Sequence, residues 1–242
     1  MKSVYLFINV FTIAIPLLRS FEPRIYFVSK WKFYLPANFI TAMFFLVWDY
    51  FKTRYGVWGF NDRYILGVKL FGLPLEEILF FVTVPYACTF IYETVCLFLR
   101  GTYIKLSPAK ILRSIGFAAL LLSPVAFTKA YTFSVLFFGG ITFTVFSYLL
   151  SNVILEKFII MYLISVVPML LVNGLLTGLP VVMYNDAHNL GIRILTMPVE
   201  DFAYSAILLL MNVGLYEHFK LRSARCAQGE NRMAHTLIKN IV

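Results

Sequence analysis

The sequence predicts an all-α integral membrane protein: seven transmembrane helices, built as two parallel three-helix repeats joined by a connecting helix. Three observations predict this. The 242 residues are 60% hydrophobic and only 14% charged, with a mean hydropathy of +0.80; soluble domains sit near half apolar and a quarter charged. Seven continuous apolar runs, near 3–19, 34–51, 74–99, 110–127, 130–149, 154–174 and 198–219, are long enough to span and lack the in/out alternation of barrel strands. Finally, Asn61–Glu93 matches Asn185–Glu217 at a constant offset of 124, with eight identities in 33 ungapped positions.

The first run is interrupted by Asn9, Thr12 and Pro16, but it has no A-x-A cleavage site and is kept as a helix. After the second comes a polar re-entry, Lys52 to Leu73, containing Gly56, Gly59 and Gly67. The third run opens on Pro74-Leu75-Glu76-Glu77. Only Thr128-Lys129 divides the fourth from the fifth, so that turn is tight. A second re-entry, Thr177 to Met197, precedes the seventh run, which opens on Pro198-Val199-Glu200-Asp201. Long loops of this kind are usually functional or covering elements. Pro85, Pro124 and Pro168 fall inside runs, where kinks are tolerated if neighbours satisfy the freed carbonyls. The resulting divisions are a first repeat over 1–100, a connecting helix over 101–129, a second repeat over 130–219 and a basic tail over 220–242. The tail is expected to be partly disordered, with a short amphipathic piece around Met233 to Ile238.

Counting Lys and Arg by side places fourteen in the loops after the first, third and fifth runs plus the tail, Lys105 among them, and seven opposite. Positive-inside bias then puts the N-terminus outside and the C-terminus in the cytoplasm. Whatever its sign, the third and seventh helices run parallel, and both acidic openings share one membrane face. The net charge of +9 is scattered through loops, which suits anionic lipid rather than nucleic acid.

A single Pro-x-Glu-Glu is adequately explained as a helix start, since exposed N–H groups stabilise carboxylates there. Its repetition is not so explained. Glu76, Glu77, Glu200 and Asp201 are brought to one face, and adjacent helical positions differ by about 100°, so one acid of each pair can face the interior. Among Phe80, Phe81, Phe202 and Tyr204, desolvation and a neighbouring acid oppose ionisation while the helix N-terminus favours it. Unequal weighting at the two helices would provide an acid and a base. Asn61 and Asn185 are turn formers, or loop residues that hydrogen-bond the carboxylates. Trp48 is either a membrane-belt residue or a cavity wall able to stabilise a cation, whereas Trp58 is assigned to the belt. Glu93 and Glu217, near the opposite helix ends, read as interfacial ion-pairing residues, and His188 as a turn residue.

Several classes are disfavoured. There is no strand region to hold a dinucleotide-binding G-x-G-x-x-G, no Cys/His cluster with metal spacing and no Asp-rich diphosphate motif. Pro198–Phe219 contains no lysine for a retinal Schiff base. Cys88, Cys96 and Cys226 form no disulfide framework.

The stretch GVWGFNDRYILGVKLFGLPLEEILFFVTVPYACTFIYE, with the later PVEDFAYSAILLLMNVGLYE, resembles the small all-helical lycopene cyclase family in its fused, single-chain form. The resemblance implies an inner-membrane enzyme that takes lycopene from the bilayer and cyclises its ends to β-rings without a cofactor. It assigns Glu76, Glu77, Glu200 and Asp201 to the catalytic set. Phe80, Phe81, Tyr204, Trp48, Asn61 and Asn185 are then expected at the substrate, and oligomeric state is left open. A hydratase acting on the same double bond and a proton-coupled transporter are the alternatives.

Overall fold

The computed structural model describes residues 2–101 and 107–239, and side chains as far as Cys226. Lys105 and the rest of 102–106, with 240–242, lie outside the described residues. Seven α-helices are present among the described residues: α1 (Val4–Arg19), α2 (Trp31–Arg54), α3 (Leu75–Phe98), α4 (Pro108–Leu122), α5 (Ala130–Leu149), α6 (Asn152–Gly178) and α7 (Glu200–Lys239). By length and composition, four segments can cross a membrane: α3, α4 with its 3-10 extension to Ala126, α5 and α6. α1 is apolar but 16 residues long, while α2 carries Lys52 and Arg54 in its last turn. Large apolar side chains such as Phe7, Phe11, Leu18, Phe39, Leu121 and Val125 are exposed on the helices, as suits a protein solvated by lipid.

Two expectations are corrected. α7 does not stop at Phe219 but continues as one helix to Lys239, through most of the predicted tail; the side chains of Met233 to Ile238 lie outside those described. The re-entrant loops also contain strands, which are too short to leave a period-2 pattern. β1 (Trp58–Phe60) pairs antiparallel with β4 (Val182–Tyr184), joining the two loops to each other with Trp58 opposite Tyr184. Each loop then forms its own small hairpin. β2 (Lys69–Leu70) pairs with β3 (Leu73–Pro74), and β5 (Arg193–Ile194) with β6 (Met197–Pro198). Hairpin turns place Phe71 and Leu195 at positive φ, 54° and 58°.

α3 and α7 are parallel and in register. Asn212 Nδ2 donates to Thr89 Oγ1 at 2.8 Å and the Tyr216 hydroxyl donates to Glu93 Oε1 at 2.6 Å, both at a separation of 123 residues. A constant separation along two helices requires the same direction. α1 and α2 pack on α3, α5 on α7, and α2 and α6 bridge the two centres by contacting α7 and α3. α4 lies against α5 through facing glycines: a Cβ on Gly140 would meet Leu120 Cγ at 2.6 Å and the Gly116 carbonyl at 2.9 Å. Small residues give helices in lipid the close approach that the hydrophobic effect does not supply there.

Pro85 deprives the Phe81 carbonyl of its helical donor. Asn38 on α2 replaces it, its Nδ2 donating to the Phe81 carbonyl at 3.0 Å. Asn38→Leu is therefore expected to destabilise the fold by about 1–3 kcal/mol, the cost of an orphaned buried carbonyl. Thermal unfolding in detergent measures it.

Candidate functional site

All four carboxylates of the two helix openings are buried, none more than 8% exposed. Their first-turn positions supply free backbone N–H groups nearby. The two members of each pair point in different directions.

Glu76 and Glu200 face their loops. Glu76 Oε1 accepts the Leu66 N–H at 2.6 Å, and Glu200 Oε1 accepts the Leu190 N–H at 2.8 Å and the Thr132 hydroxyl at 2.6 Å. Each carboxylate thus pins the loop that precedes its own helix. The second oxygen of each is buried without a hydrogen-bond partner.

Glu77 and Asp201 face a shared cavity of about 290 Å³. The Tyr5 hydroxyl donates to Glu77 Oε2 at 2.5 Å, and the Tyr131 hydroxyl to Asp201 Oδ1 at 2.6 Å. Tyr184 adds a donor to Asp201 Oδ2 at 3.0 Å. Tyr5 opens α1 as Tyr131 opens α5, and their backbones match as well: the Tyr5 N–H reaches the Tyr64 carbonyl at 3.2 Å, the Tyr131 N–H that of His188 at 2.8 Å.

The cavity is an elongated apolar slot. It begins at the carboxylates and follows α3 past Val84, Ala87 and Cys88 to Ile91, roughly 21 Å along the helix at 1.5 Å per residue. Pro168, Met169 and Val172 of α6 form the opposite wall. Phe11 and Ile15 of α1 and Leu171 of α6 rim it while remaining exposed on the outer surface. The β1–β4 sheet lies over the carboxylate end, contributing Trp58, Phe60, Val182 and Tyr184. Around the acids the rings of Tyr131, Tyr184 and Tyr204 stand 5.1–6.2 Å from that of Trp58, the kind of wall that stabilises a cation.

The sequence missed a third carboxylate. Asp49 of α2 is buried and lines the same cavity; its Oδ1 accepts the Trp58 indole N–H at 2.5 Å and its Oδ2 has no partner. A lone acid in an apolar run is a functional signal in itself. Trp58 is correspondingly a wall of the site and not a belt residue. Phe80 and Tyr204 line the slot. Phe81 and Trp48 are buried just behind it, Trp48 packed on Tyr204 at 5.1 Å and Phe81 on Phe45 at 6.1 Å. Asn61 and Asn185 do not reach the carboxylates. Their Oδ1 atoms accept the N–H groups of Arg63 and Ala187, two residues on, so both are turn formers. Beside the second turn, Asn189 and then Arg193 hold the Asp186 carboxyl below its ordinary value. That stabilisation is present above about pH 3.8 and is lost as pH falls below it; exposure to solvent keeps it small. Glu93 and Glu217 take the expected ion-pairing role, Glu93 with Lys30 and Lys220, Glu217 with Lys220 at 2.7 Å. Among the described residues no group of three or more His, Cys, Asp or Glu is placed to hold a metal ion.

A mostly helical protein with membrane-length apolar helices and a buried acid cluster at the end of an oily slot has the makings of a membrane enzyme acting on an apolar substrate. Comparison with known families agrees: residues 2–95 and 128–219 match the model for "Lycopene cyclase", and the chain belongs to the lycopene cyclase family. A 45-residue stretch is 40% identical to a bifunctional lycopene cyclase/phytoene synthase of Leptosphaeria maculans. That match covers 19% of this chain and 8% of the fungal protein, so the chain corresponds to a small part of that relative. No solved structure matches. Family and relative together support cyclase function, that is, an enzyme.

Proposed function

We propose that the protein is a lycopene β-cyclase, an isomerase that closes the acyclic ends of lycopene into β-rings, giving γ-carotene and then β-carotene. The observation that best supports this is the pairing of Glu77 and Asp201 in one apolar slot with different hydrogen-bond surroundings. Asp201 accepts a hydrogen bond on each oxygen, which suits an ionised acceptor. Glu77 accepts on Oε2 alone, leaving Oε1 able to carry a proton toward the slot.

On this reading Glu77 protonates C2 of the terminal double bond, leaving a tertiary cation at C1. The C5=C6 electrons close the C1–C6 bond and move the charge to C5, facing the ring walls of Trp58, Tyr131 and Tyr204. Asp201 takes the C6 proton and the C5=C6 bond reforms. The proton gained by Asp201 equals the one lost by Glu77, so turnover needs only its return and no redox partner. On this reading Asp49, which lines the same cavity with a free buried oxygen, takes part in that return. The β1–β4 sheet keeps out water, which would otherwise capture the cation.

We also read all seven helices as spans and the chain as an internal duplication, N-terminus outside and C-terminus in the cytoplasm of an inner membrane. Support for the duplication comes from the matched hairpins, the matched Glu76 and Glu200 contacts and the matched tyrosines. The substrate would enter from the bilayer past Phe11, Ile15 and Leu171.

Expression in a lycopene-accumulating bacterium tests the activity, with pigments separated by chromatography. β-Carotene with γ-carotene as intermediate is expected. Unchanged lycopene would reject the proposal, and hydroxylated products would select a hydratase.

A further inference from the structure

The C-terminal end of α3 and the middle of α7, at Glu217 and Lys220, carry a second cavity, of about 550 Å³, which the proposed chemistry does not use. Arg24, Lys30, Arg100, Lys157 and Lys220 line it, facing two carboxylates, Glu93 and Glu217. Five cations against two anions leave three positive charges in excess.

The cations fall into two groups. Lys30 and Lys220 are held by buried Glu93, and Lys220 also by buried Glu217, so these four form a neutral floor. Arg24, Arg100 and Lys157 make no ion pair among the described residues. They come from three separate places: the turn after α1, the end of α3 and the first turns of α6. Three unpaired cations converging on one concavity repel one another and focus a positive field into it. An anion bound there relieves that repulsion, and the guanidinium forks of Arg24 and Arg100 match phosphate oxygens. The remaining wall is mixed: Ile25, Leu97, Val153 and Ile154 give it an apolar side, and Tyr26, Ser29 and Tyr92 line the rest. The apolar side contributes nothing to a free inorganic ion but suits the first methylenes of a lipid, and the hydroxyl-bearing side suits its glycerol. The cavity also lies where apolar α3 ends and apolar α6 begins, the level at which headgroups gather.

We infer that this cavity binds the phosphodiester headgroup of an anionic membrane phospholipid. The probe is phosphatidylglycerol against phosphatidylcholine, added to the purified full chain in neutral detergent and read by native mass spectrometry. Phosphatidylglycerol should be retained at least about tenfold better, as cations near anionic headgroups favour it. The triple variant Arg24→Gln, Arg100→Gln, Lys157→Gln should lose that preference, Lys157→Gln alone should reduce it, and Arg63→Gln on the other face should leave it intact. A large excess of inorganic phosphate should not displace the lipid. Equal retention of the two lipids would overturn the inference, as would a full preference in either cavity variant. Displacement by phosphate would overturn the lipid assignment in favour of a free-anion site.

Discussion

Glu77→Gln and Asp201→Asn should each cut β-ring formation by about 10²–10⁴-fold, the usual worth of a positioned acid or base, while the protein still folds and inserts. Both substitutions keep side-chain shape. An amide at 77 can still accept from Tyr5 on its carbonyl oxygen, but it carries no acidic proton toward the slot. At 201 the amide retains one acceptor for Tyr131 or Tyr184 and loses the ability to take up the proton released at C6. Pigment analysis at matched protein levels measures the effect, and thermal unfolding checks that the loss is chemical. Full activity in either variant would remove that residue from the mechanism.

Glu200 should behave in the opposite manner. Glu200→Ala takes the acceptor from both the Leu190 N–H and the Thr132 hydroxyl. Two donors left unpaired cost about 2–4 kcal/mol together, enough to consume much of a marginal stability. Lowered unfolding temperature and loss of activity should therefore appear together. Glu200→Gln keeps an oxygen for both donors, so it should restore most of the stability and, if the residue serves only to pin the loop, most of the activity. Should Glu200→Gln be as inactive as Glu77→Gln at normal stability, Glu200 would have to be placed in the chemistry.

The contrast between these neighbours shows what the sequence could and could not convey. Its apolar runs locate the helices to within a few residues at most ends, because burial and lipid solvation impose composition over some twenty residues. The 124-residue offset likewise identifies both acidic openings and predicts that they share a face. It does not tell Glu76 from Glu77, since that depends on where each loop lies. Tyr5 and Tyr131 carry no such signal because their separation is 126 residues: the offset shifts outside the aligned stretch, and tyrosines are common in this chain. Asp49 was hidden by its basic neighbours Lys52 and Arg54, which make the end of α2 look like an ordinary membrane boundary. β1 and β4 were invisible because three-residue strands that pair across 124 positions have no local signature. Their pairing lays the two long loops over the carboxylate end of the slot.

That cover has a kinetic corollary for the proposed enzyme. The acids are gathered under the β1–β4 sheet at one extremity of the slot, so on the proposed function a polyene would present one end at a time to them. A molecule with two identical termini must back out, reverse and re-enter before its second ring can form. Catalysis should thus be distributive, with the one-ringed compound released and accumulating early whenever the open-chain polyene is abundant.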